Sequence, residues 1–140
     1  MRRLRLLRIQ DVTHLCKHLG SSLNELAHLC LKPEWYYRQG PRRIKGKTRH
    51  IATPEGRLRQ ILDRLQALLQ RVVLPESIHG GVKGHSPRTN AVVHLRKPVV
   101  LCMDIKDFFP SITNRRVYAM FRETLKCAPD VARILTRLCT

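Results

Sequence analysis

The sequence contains few acidic and few aromatic residues, and it holds no long apolar stretch. Asp and Glu together number 10 against 27 Lys and Arg, so the formal net charge is +17. No apolar run approaches the ~20 residues that a bilayer span requires, and arginines interrupt the apolar residues of the N-terminal MRRLRLLRIQ before a signal sequence can form. We therefore expect a cytoplasmic protein with no membrane partner. The positive excess favours nucleic acid as the partner over an anionic membrane surface.

The cysteines lack the spacing of a zinc site. There are 5 of them with no CxxC pair, and structural zinc sites use paired ligands at short, fixed spacings. We interpret them as buried or incidental thiols in a reducing compartment. His14 and His18 share a helical face, but no HExxH motif accompanies them, so they are only a weak metal candidate.

The length and the apolar content fit one folded domain. The chain has 140 residues, of which 43% are hydrophobic, enough for a core. Residues 11–31 have the spacing of two short amphipathic helices, with Ser22 as the N-cap of the second. Strand-forming residues between 35 and 52 are broken by Gly40-Pro41 and by Lys45-Gly46-Lys47, which predicts a β-hairpin with a basic tip.

A long helix is the most strongly patterned element. Thr53-Pro54-Glu55 provides a capping hydroxyl, a first-turn proline and an acid at the positive end of the helix dipole, and Pro75 ends the pattern. Apolar residues recur at helical spacing between 58 and 73. The continuous apolar run 98–103 predicts a strand buried on both faces. Helical spacing returns at 91–95, 117–125 and 131–138, so we expect the α/β class, of the α+β kind.

Asp104 directly follows the apolar run. A carboxylate at the end of a buried strand is costly unless it is compensated, and Mg²⁺ is the usual compensation in phosphoryl-transfer enzymes. A helix N-cap or a salt-bridged acid would explain the residue equally. Asp107 would face the opposite side of a continued strand, so we interpret it as structural.

Basic residues are concentrated between positions 38 and 71, which hold ten Lys and Arg against Glu55 and Asp63. Lys47 and Arg49 alternate on the predicted strand, so both side chains could reach one anionic group, either a nucleotide triphosphate or a nucleic-acid backbone. The alternative is a solvated basic face. Further along, GGVKGHS at 80–86 lacks the spacing of a P-loop, and its glycines allow either close approach to a phosphate or a simple turn.

Three segments, taken in order, resemble one enzyme family. DIKDFFPSI at 104–112 is similar to motif A of the reverse transcriptases of retron and group II intron type, and GKTRHIATPEGRLRQILDRLQALL at 46–69 is similar to their fingers segment. Between them, GGVKGHSPRTNAVVH resembles the family passage G-F-x-x-G-x-S-x-x-x-N-A-x-x-H, with Val82 where the family usually has Phe. The resemblance covers roughly residues 20–140 and implies RNA-directed DNA polymerisation.

The resemblance also implies roles for individual residues. Asp104 and the Ile105 carbonyl would bind Mg²⁺, and Lys47 and Arg49 would bind the dNTP triphosphate. Phe109 would lie under the deoxyribose and exclude a 2′-hydroxyl, with Phe108 as the alternative and otherwise a core residue. Arg88 and Asn90 would help to hold the template or the loop itself. Apart from the resemblance, the charge of the hairpin predicts that Arg42, Arg43 and Lys45 bind nucleic acid. The implied partners are an RNA template, a DNA or RNA primer, dNTPs and a cognate structured non-coding RNA.

The family architecture divides the chain into a helical lead-in at 1–34, fingers at 35–96 and the start of a palm at 97–140. The family's second catalytic motif, an aromatic-x-Asp-Asp turn, does not occur in these residues. We therefore expect an N-terminal fragment that is inactive alone, because one carboxylate cannot hold two metal ions. The alternative is a truncated basic RNA-binding module without catalysis. The sequence does not separate retron, group II intron and defence-linked types.

Overall fold

Helices and an antiparallel hairpin make up the computed structural model, which describes residues 6–44 and 46–140. This mixture confirms the predicted α+β class. In chain order the elements are α1 (Val12–Leu19), α2 (Leu23–Leu31), a 3₁₀ turn (Pro33–Tyr36), β1 (Tyr37–Ile44), β2 (Lys47–Pro54), α3 (Gly56–Leu69), α4 (Pro87–Val92), α5 (Phe108–Ser111), α6 (Asn114–Ala119) with a π turn (Met120–Thr124), and α7 (Pro129–Cys139).

The first two helices begin and end as their sequence dictates. The Asp11 carboxylate caps α1 by accepting a hydrogen bond from the His14 backbone N–H at 2.7 Å. The Ser22 hydroxyl accepts one from the Glu25 N–H at 3.2 Å, which confirms Ser22 as the predicted N-cap of α2. Gly20 ends α1 with φ of +57°. This positive φ requires glycine, and a side chain here would in addition displace the guanidinium of Arg64 from its position over the turn.

The core lies between helices that are far apart in sequence. Helix α3 packs against α1, while α7 packs against α1, α2 and the π turn. Each fully buried large side chain stabilises the fold by about 1.5–3 kcal/mol. The buried hydrophobic residues are Ile9, Leu15, Cys16, Leu19, Leu26, Leu29, Leu58, Ile61, Leu65, Leu68, Phe121, Leu125, Cys127, Val131, Ala132, Leu135 and Leu138.

Two arginines of α3 hold the turn between α1 and α2. Arg57 binds both carboxylate oxygens of Glu25, with Nε–Oε1 at 2.6 Å and Nη2–Oε2 at 3.0 Å, and it also donates to the Gly20 carbonyl at 2.6 Å. Arg64 donates to the Leu19 carbonyl at 2.7 Å. The same Glu25 carboxylate accepts a hydrogen bond from the Ser21 hydroxyl at 2.5 Å. The lead-in helices are therefore fixed on α3 by charge-assisted bonds as well as by apolar contact.

We expect acid to weaken this attachment. Hydrogen bonds from Arg57 and Ser21 lower the pKa of Glu25 from 4.5 to about 2. A carboxyl group with a depressed folded-state pKa stabilises the fold above its unfolded value, and that contribution is lost as the pH falls from about 4.5 towards 2. Glu25→Gln should thus lower stability to urea at pH 7 and reduce the loss of stability over that acid range.

The control for this prediction is Asp63→Asn, which removes the exposed α3 ion pair with Arg59. Exposed pairs of this kind contribute little, so the acid profile should match that of the unsubstituted chain. The interpretation would be wrong if Glu25→Gln showed an unchanged dependence of unfolding on pH.

The ends of several elements differ from the sequence prediction. Thr53 and Pro54 do not open α3, because they pair with Arg38 and Tyr37 as the end of β2. Gly40 and Pro41 lie inside β1, where a two-stranded sheet tolerates proline because each strand is an edge. Helix α3 ends at Leu69, before Pro75, and the helix predicted at 91–95 instead begins at Pro87 and ends at Val92, with a capping box at Ser86.

The predicted strand at 98–103 is wrong in this structure. These residues form no strand, and Val99, Leu101 and Met103 are 82%, 76% and 84% exposed. A strand needs hydrogen-bonding partners on its edges, and the only sheet of the described residues is the hairpin β1–β2. Among the described residues, no helix has both the length and the apolar content to cross a membrane.

Candidate nucleic-acid interface

The register of the hairpin brings four cationic side chains to one face. Arg42 lies directly opposite Arg49, Ile44 opposite Lys47, and Arg38 opposite Thr53. Residues opposite each other on paired strands, and residues two apart on one strand, share a face of the sheet. We call this face the basic face, and its cations are Arg38, Arg42, Lys47 and Arg49.

The basic face carries no compensating acid within the hairpin itself. Residues 37–54 contain no Asp or Glu, and the one described ion pair on this face joins Arg38 Nε to Glu55 Oε1 at 2.9 Å, with both side chains exposed. Like charges directly opposite each other destabilise a sheet, so the Arg42–Arg49 pair is unfavourable until an anion lies between the two side chains. A groove of about 400 Å³, lined in part by Arg38 and Arg42, runs along this face.

The other face of the hairpin separates residues that the sequence grouped together. Arg43 lies opposite Thr48 and points away from the basic face, whereas its neighbour Arg42 shares that face with Lys47 and Arg49. The sequence analysis assigned nucleic-acid binding to Arg42 and Arg43, and binding of the dNTP triphosphate to Lys47 and Arg49. The geometry does not follow this division. Lys45 lies outside the described residues.

Asp104 is exposed at the end of the irregular segment. Its Oδ1 accepts a hydrogen bond from the Ile105 backbone N–H at 3.0 Å, so it is neither a helix cap nor a buried acid. Its carboxylate is a hard oxygen ligand of the kind that Mg²⁺ binds. However, no group of three or more His, Cys, Asp or Glu converges on a metal position in residues 6–44 and 46–140. Asp104 and Ile105 alone do not complete a magnesium site.

The two phenylalanines after Asp104 differ in exposure. Phe109 is 86% exposed and Phe108 47%, and their rings meet edge to face with centroids 5.5 Å apart. The predicted core role for Phe108 is therefore wrong in this structure, since the short helix α5 buries none of its residues. Asp107, just before α5, has a left-handed backbone with φ of +52°.

The glycine-rich passage forms a second concave surface. Arg88 and Asn90 lie on α4 and are exposed, and Asn90 lines a groove of about 400 Å³ together with His79, His85 and Ser86. The Nδ1 atoms of His79 and His85 are 3.0 Å apart. Sequence reasoning missed this ring pair, because a spacing of six residues in a loop carries no periodic signal.

Sequence reasoning also missed the opposition of Arg42 and Arg49. The sequence contained a signal for it, because a glycine at position 46 is typical of a tight hairpin turn. In the structure Gly46 has a φ of +78°. Two-residue hairpin turns of this kind fix the register of the flanking strands. Counting outward from the turn pairs position 42 with 49.

Comparison with curated proteins finds relatives, although no family model matches the chain. The chain is 35% identical over 95 residues to the Retron Se72 reverse transcriptase of Salmonella heidelberg, which covers 67% of this chain and 25% of that protein. It is 41% identical over 73 residues to the Retron Mx65 reverse transcriptase of Myxococcus xanthus, covering 51% and 17%. The Retron Ec86 reverse transcriptase of Escherichia coli is 35% identical over 82 residues, covering 59% and 23%.

These matches show that the chain is similar to the N-terminal part of reverse transcriptases, the class that its three motifs resemble. The chain spans about a quarter or less of the length of these curated relatives. Within the class, the matched region is reverse-transcriptase sequence of the retron type. This confirms the resemblance and selects the retron branch among the types that the motifs left open.

Proposed function

We propose that the chain supplies the fingers and the start of the palm of an RNA-directed DNA polymerase, and that its basic face binds phosphate groups. One observation carries the proposal: Arg42 lies directly opposite Arg49 on a hairpin without acidic residues. A sequence that places two guanidinium groups together on an exposed sheet loses stability unless an anion accepts their hydrogen bonds. Phosphate is the anion that fits both the charge and the family.

The roles of single residues follow from this arrangement and from the family resemblance. Lys47 and Arg49 bind the triphosphate of the incoming dNTP, and Arg42 lies close enough in register to share that anion or the adjacent nucleic-acid backbone. Arg43 contacts nucleic acid away from the basic face, and Lys45 belongs to the same nucleic-acid-binding set. Arg88 and Asn90 hold the template from α4, where both side chains are exposed.

The catalytic part of the proposal rests on the segment after residue 103. Asp104 and the Ile105 carbonyl would hold Mg²⁺, which activates the primer 3′-hydroxyl and stabilises the leaving pyrophosphate when it is bound together with further carboxylates. Phe109 would face the deoxyribose, since its ring is the more exposed of the two.

The proposal extends to the partners and the organisation of the longer polymerase. Its substrates are an RNA template, a DNA or RNA primer and dNTPs in the cytoplasm. A cognate structured non-coding RNA is a further partner, and the polymerase acts in antiviral defence. The division into lead-in (1–34), fingers (35–96) and palm (from 97) belongs to the same proposal.

The test of the basic face is the salt dependence of nucleic-acid binding. We expect the chain to bind a fluorescent single-stranded RNA oligonucleotide, with affinity falling linearly with salt on a log–log plot. Arg42→Gln, Lys47→Gln and Arg49→Gln in combination should reduce the slope by about 0.7 for each phosphate that is no longer neutralised, hence by roughly 2. Fluorescence anisotropy at a series of NaCl concentrations measures this.

Arg43→Gln is the matched control, because it removes the same charge from the adjacent residue on the opposite face. Its slope should differ from that of the unsubstituted chain by no more than about 0.7, the value for one phosphate. Arg49→Gln alone should not lower the melting temperature, since it relieves a repulsion. The basic face is not the binding surface if the triple variant keeps the full slope, or if Arg43→Gln reduces the slope as much as the triple variant does.

A second candidate function is RNA binding without catalysis. It is favoured by the exposed basic face together with the lack of a carboxylate cluster in the part of the chain that the structure describes. Primer extension by a longer polymerase that carries this segment separates the two functions, because only the first depends on Asp104.

A further inference from the structure

Two histidine rings meet on the exposed side of α1. His14 and His18 are four residues apart, and their Nε2 atoms lie 2.9 Å from each other with ring centroids 4.5 Å apart. Both residues are exposed, whereas Leu15 and Leu19 beside them are fully buried. The buried leucines hold the helix in place, so the fold fixes the backbone positions from which the two rings project on one side of α1.

The distance between the two nitrogens matches the bite of one metal ion. Imidazole nitrogens bind first-row transition-metal ions at about 2.0–2.1 Å. Two such nitrogens at the right angle of a square-planar or octahedral ion, such as Cu²⁺ or Ni²⁺, are therefore about 2.9 Å apart. A hydrogen bond between the rings is the alternative explanation of the same distance, and it requires one ring to donate and the other to accept. The two explanations differ in what happens when a metal ion is added.

We propose that His14 and His18 chelate a first-row transition-metal cation, with the two Nε2 atoms in adjacent coordination positions and water in the others. Imidazole is a preferred ligand of nickel, copper and zinc, whereas Mg²⁺ prefers oxygen. The site is therefore distinct in chemistry from the magnesium site expected at Asp104, and it lies on a different element.

The surroundings of His18 favour its neutral form. Desolvation, the charge of His14 and the charge of Arg71 lower the pKa of His18, in that order of size. Neutral imidazole is the ligand form. Arg71 and Lys17 also repel a cation, so the attraction comes from the two coordinate bonds rather than from the local charge.

Metal binding at this site would stabilise the lead-in helices. The chelating geometry exists only when α1 is helical, and a ligand that binds the folded state alone raises the free energy of unfolding. Since α1 packs against α3 and α7, the added stability should appear in the melting of the whole core.

The experiment uses the 140-residue chain, purified without a histidine tag, in a phosphine reductant that does not bind metal through a thiol. Addition of NiCl₂ should raise the melting temperature, and excess EDTA should reverse the rise. His14→Gln and His18→Gln each leave one imidazole, so each should weaken Ni²⁺ binding about 100-fold or more, the gain that a second linked ligand provides.

Two controls test whether the effect belongs to this pair. His28→Gln removes an exposed histidine from α2, and the double variant His79→Gln/His85→Gln removes the second ring pair. Both should keep the full rise in melting temperature. The nitrogens of His79 and His85 are also only 3.0 Å apart, but this pair lies in a loop outside the core, so an ion bound there is not coupled to the folding of α1. Among the histidine ring protons, paramagnetic broadening by Ni²⁺ should be strongest for those of His14 and His18 in the unsubstituted chain, a readout that does not depend on any variant folding.

The proposal is overturned if Ni²⁺ leaves the melting temperature and the ring signals of the unsubstituted chain unchanged, since the rings then only hydrogen-bond to each other. It is equally overturned if the response survives in His14→Gln/His18→Gln, or if it disappears in His79→Gln/His85→Gln, because the ion would then bind elsewhere.

Discussion

The 140-residue chain alone should incorporate no dNTP above background in a primer-extension assay. Nucleotidyl transfer by two metal ions needs carboxylates that hold both ions near the primer end. Asp104 is exposed, and no further His, Cys, Asp or Glu residues cluster with it among the described residues. The sequence also contains no Asp-Asp pair. A missing catalytic site is expected to remove the activity entirely rather than reduce it.

The assay needs a positive control that uses the same primer, template and Mg²⁺. A retron reverse transcriptase of full length serves this purpose. The background is the signal of the same reaction without enzyme. Mg²⁺-dependent extension by the pure 140-residue chain, abolished in Asp104→Ala, would contradict the prediction, because a single carboxylate would then be sufficient.

Phe109→Val should relax sugar selection in a complete reverse transcriptase that carries this segment. A large ring beside the nucleotide rejects the 2′-hydroxyl through a steric clash, and a smaller side chain removes that clash without removing an interaction that dNTPs need. We expect the ratio of rNTP to dNTP incorporation to rise at least about tenfold, the range that small steric differences produce in binding pockets. Incorporation of dNTPs should be largely retained.

Phe108→Val is the matched control for this prediction. The two rings are neighbours in edge-to-face contact, but Phe108 is only 47% exposed against 86% for Phe109. If Phe108→Val relaxes sugar selection and Phe109→Val does not, the assignment is shifted by one residue. If neither variant changes the ratio, the steric role is wrong for both.

Local patterns were enough to predict most of the fold. Helices α1 and α2 follow from apolar spacing and from the Ser22 cap, both of which act within a few residues. The hairpin follows from strand formers around Gly46. The two basic residues of β2, Lys47 and Arg49, were placed on one face because strands alternate strictly.

Competition between distant segments decided what the sequence could not predict. Thr53 has every feature of a helix cap, yet it pairs with Arg38 because strand pairing also satisfies its backbone. Residues 98–103 have strong strand propensity, but propensity does not provide a partner strand. The contact of His79 with His85 depends on the path of a loop, which no periodic pattern encodes.

The arrangement of the core has a consequence for synthesis on the ribosome. Leu26 and Leu29 of α2 are buried together with Leu135 and Leu138 of α7, so residues near the start of the chain pack against residues more than a hundred positions later. Helix α2 emerges early and can pack against α1, but the part of its apolar side that α7 covers stays exposed until α7 has also left the exit tunnel. Contacts of such long sequence separation are slow to form, because a large loop must close first. The nascent chain therefore presents an incomplete apolar surface between the emergence of α2 and that of α7, which is a period in which chaperones act on such surfaces.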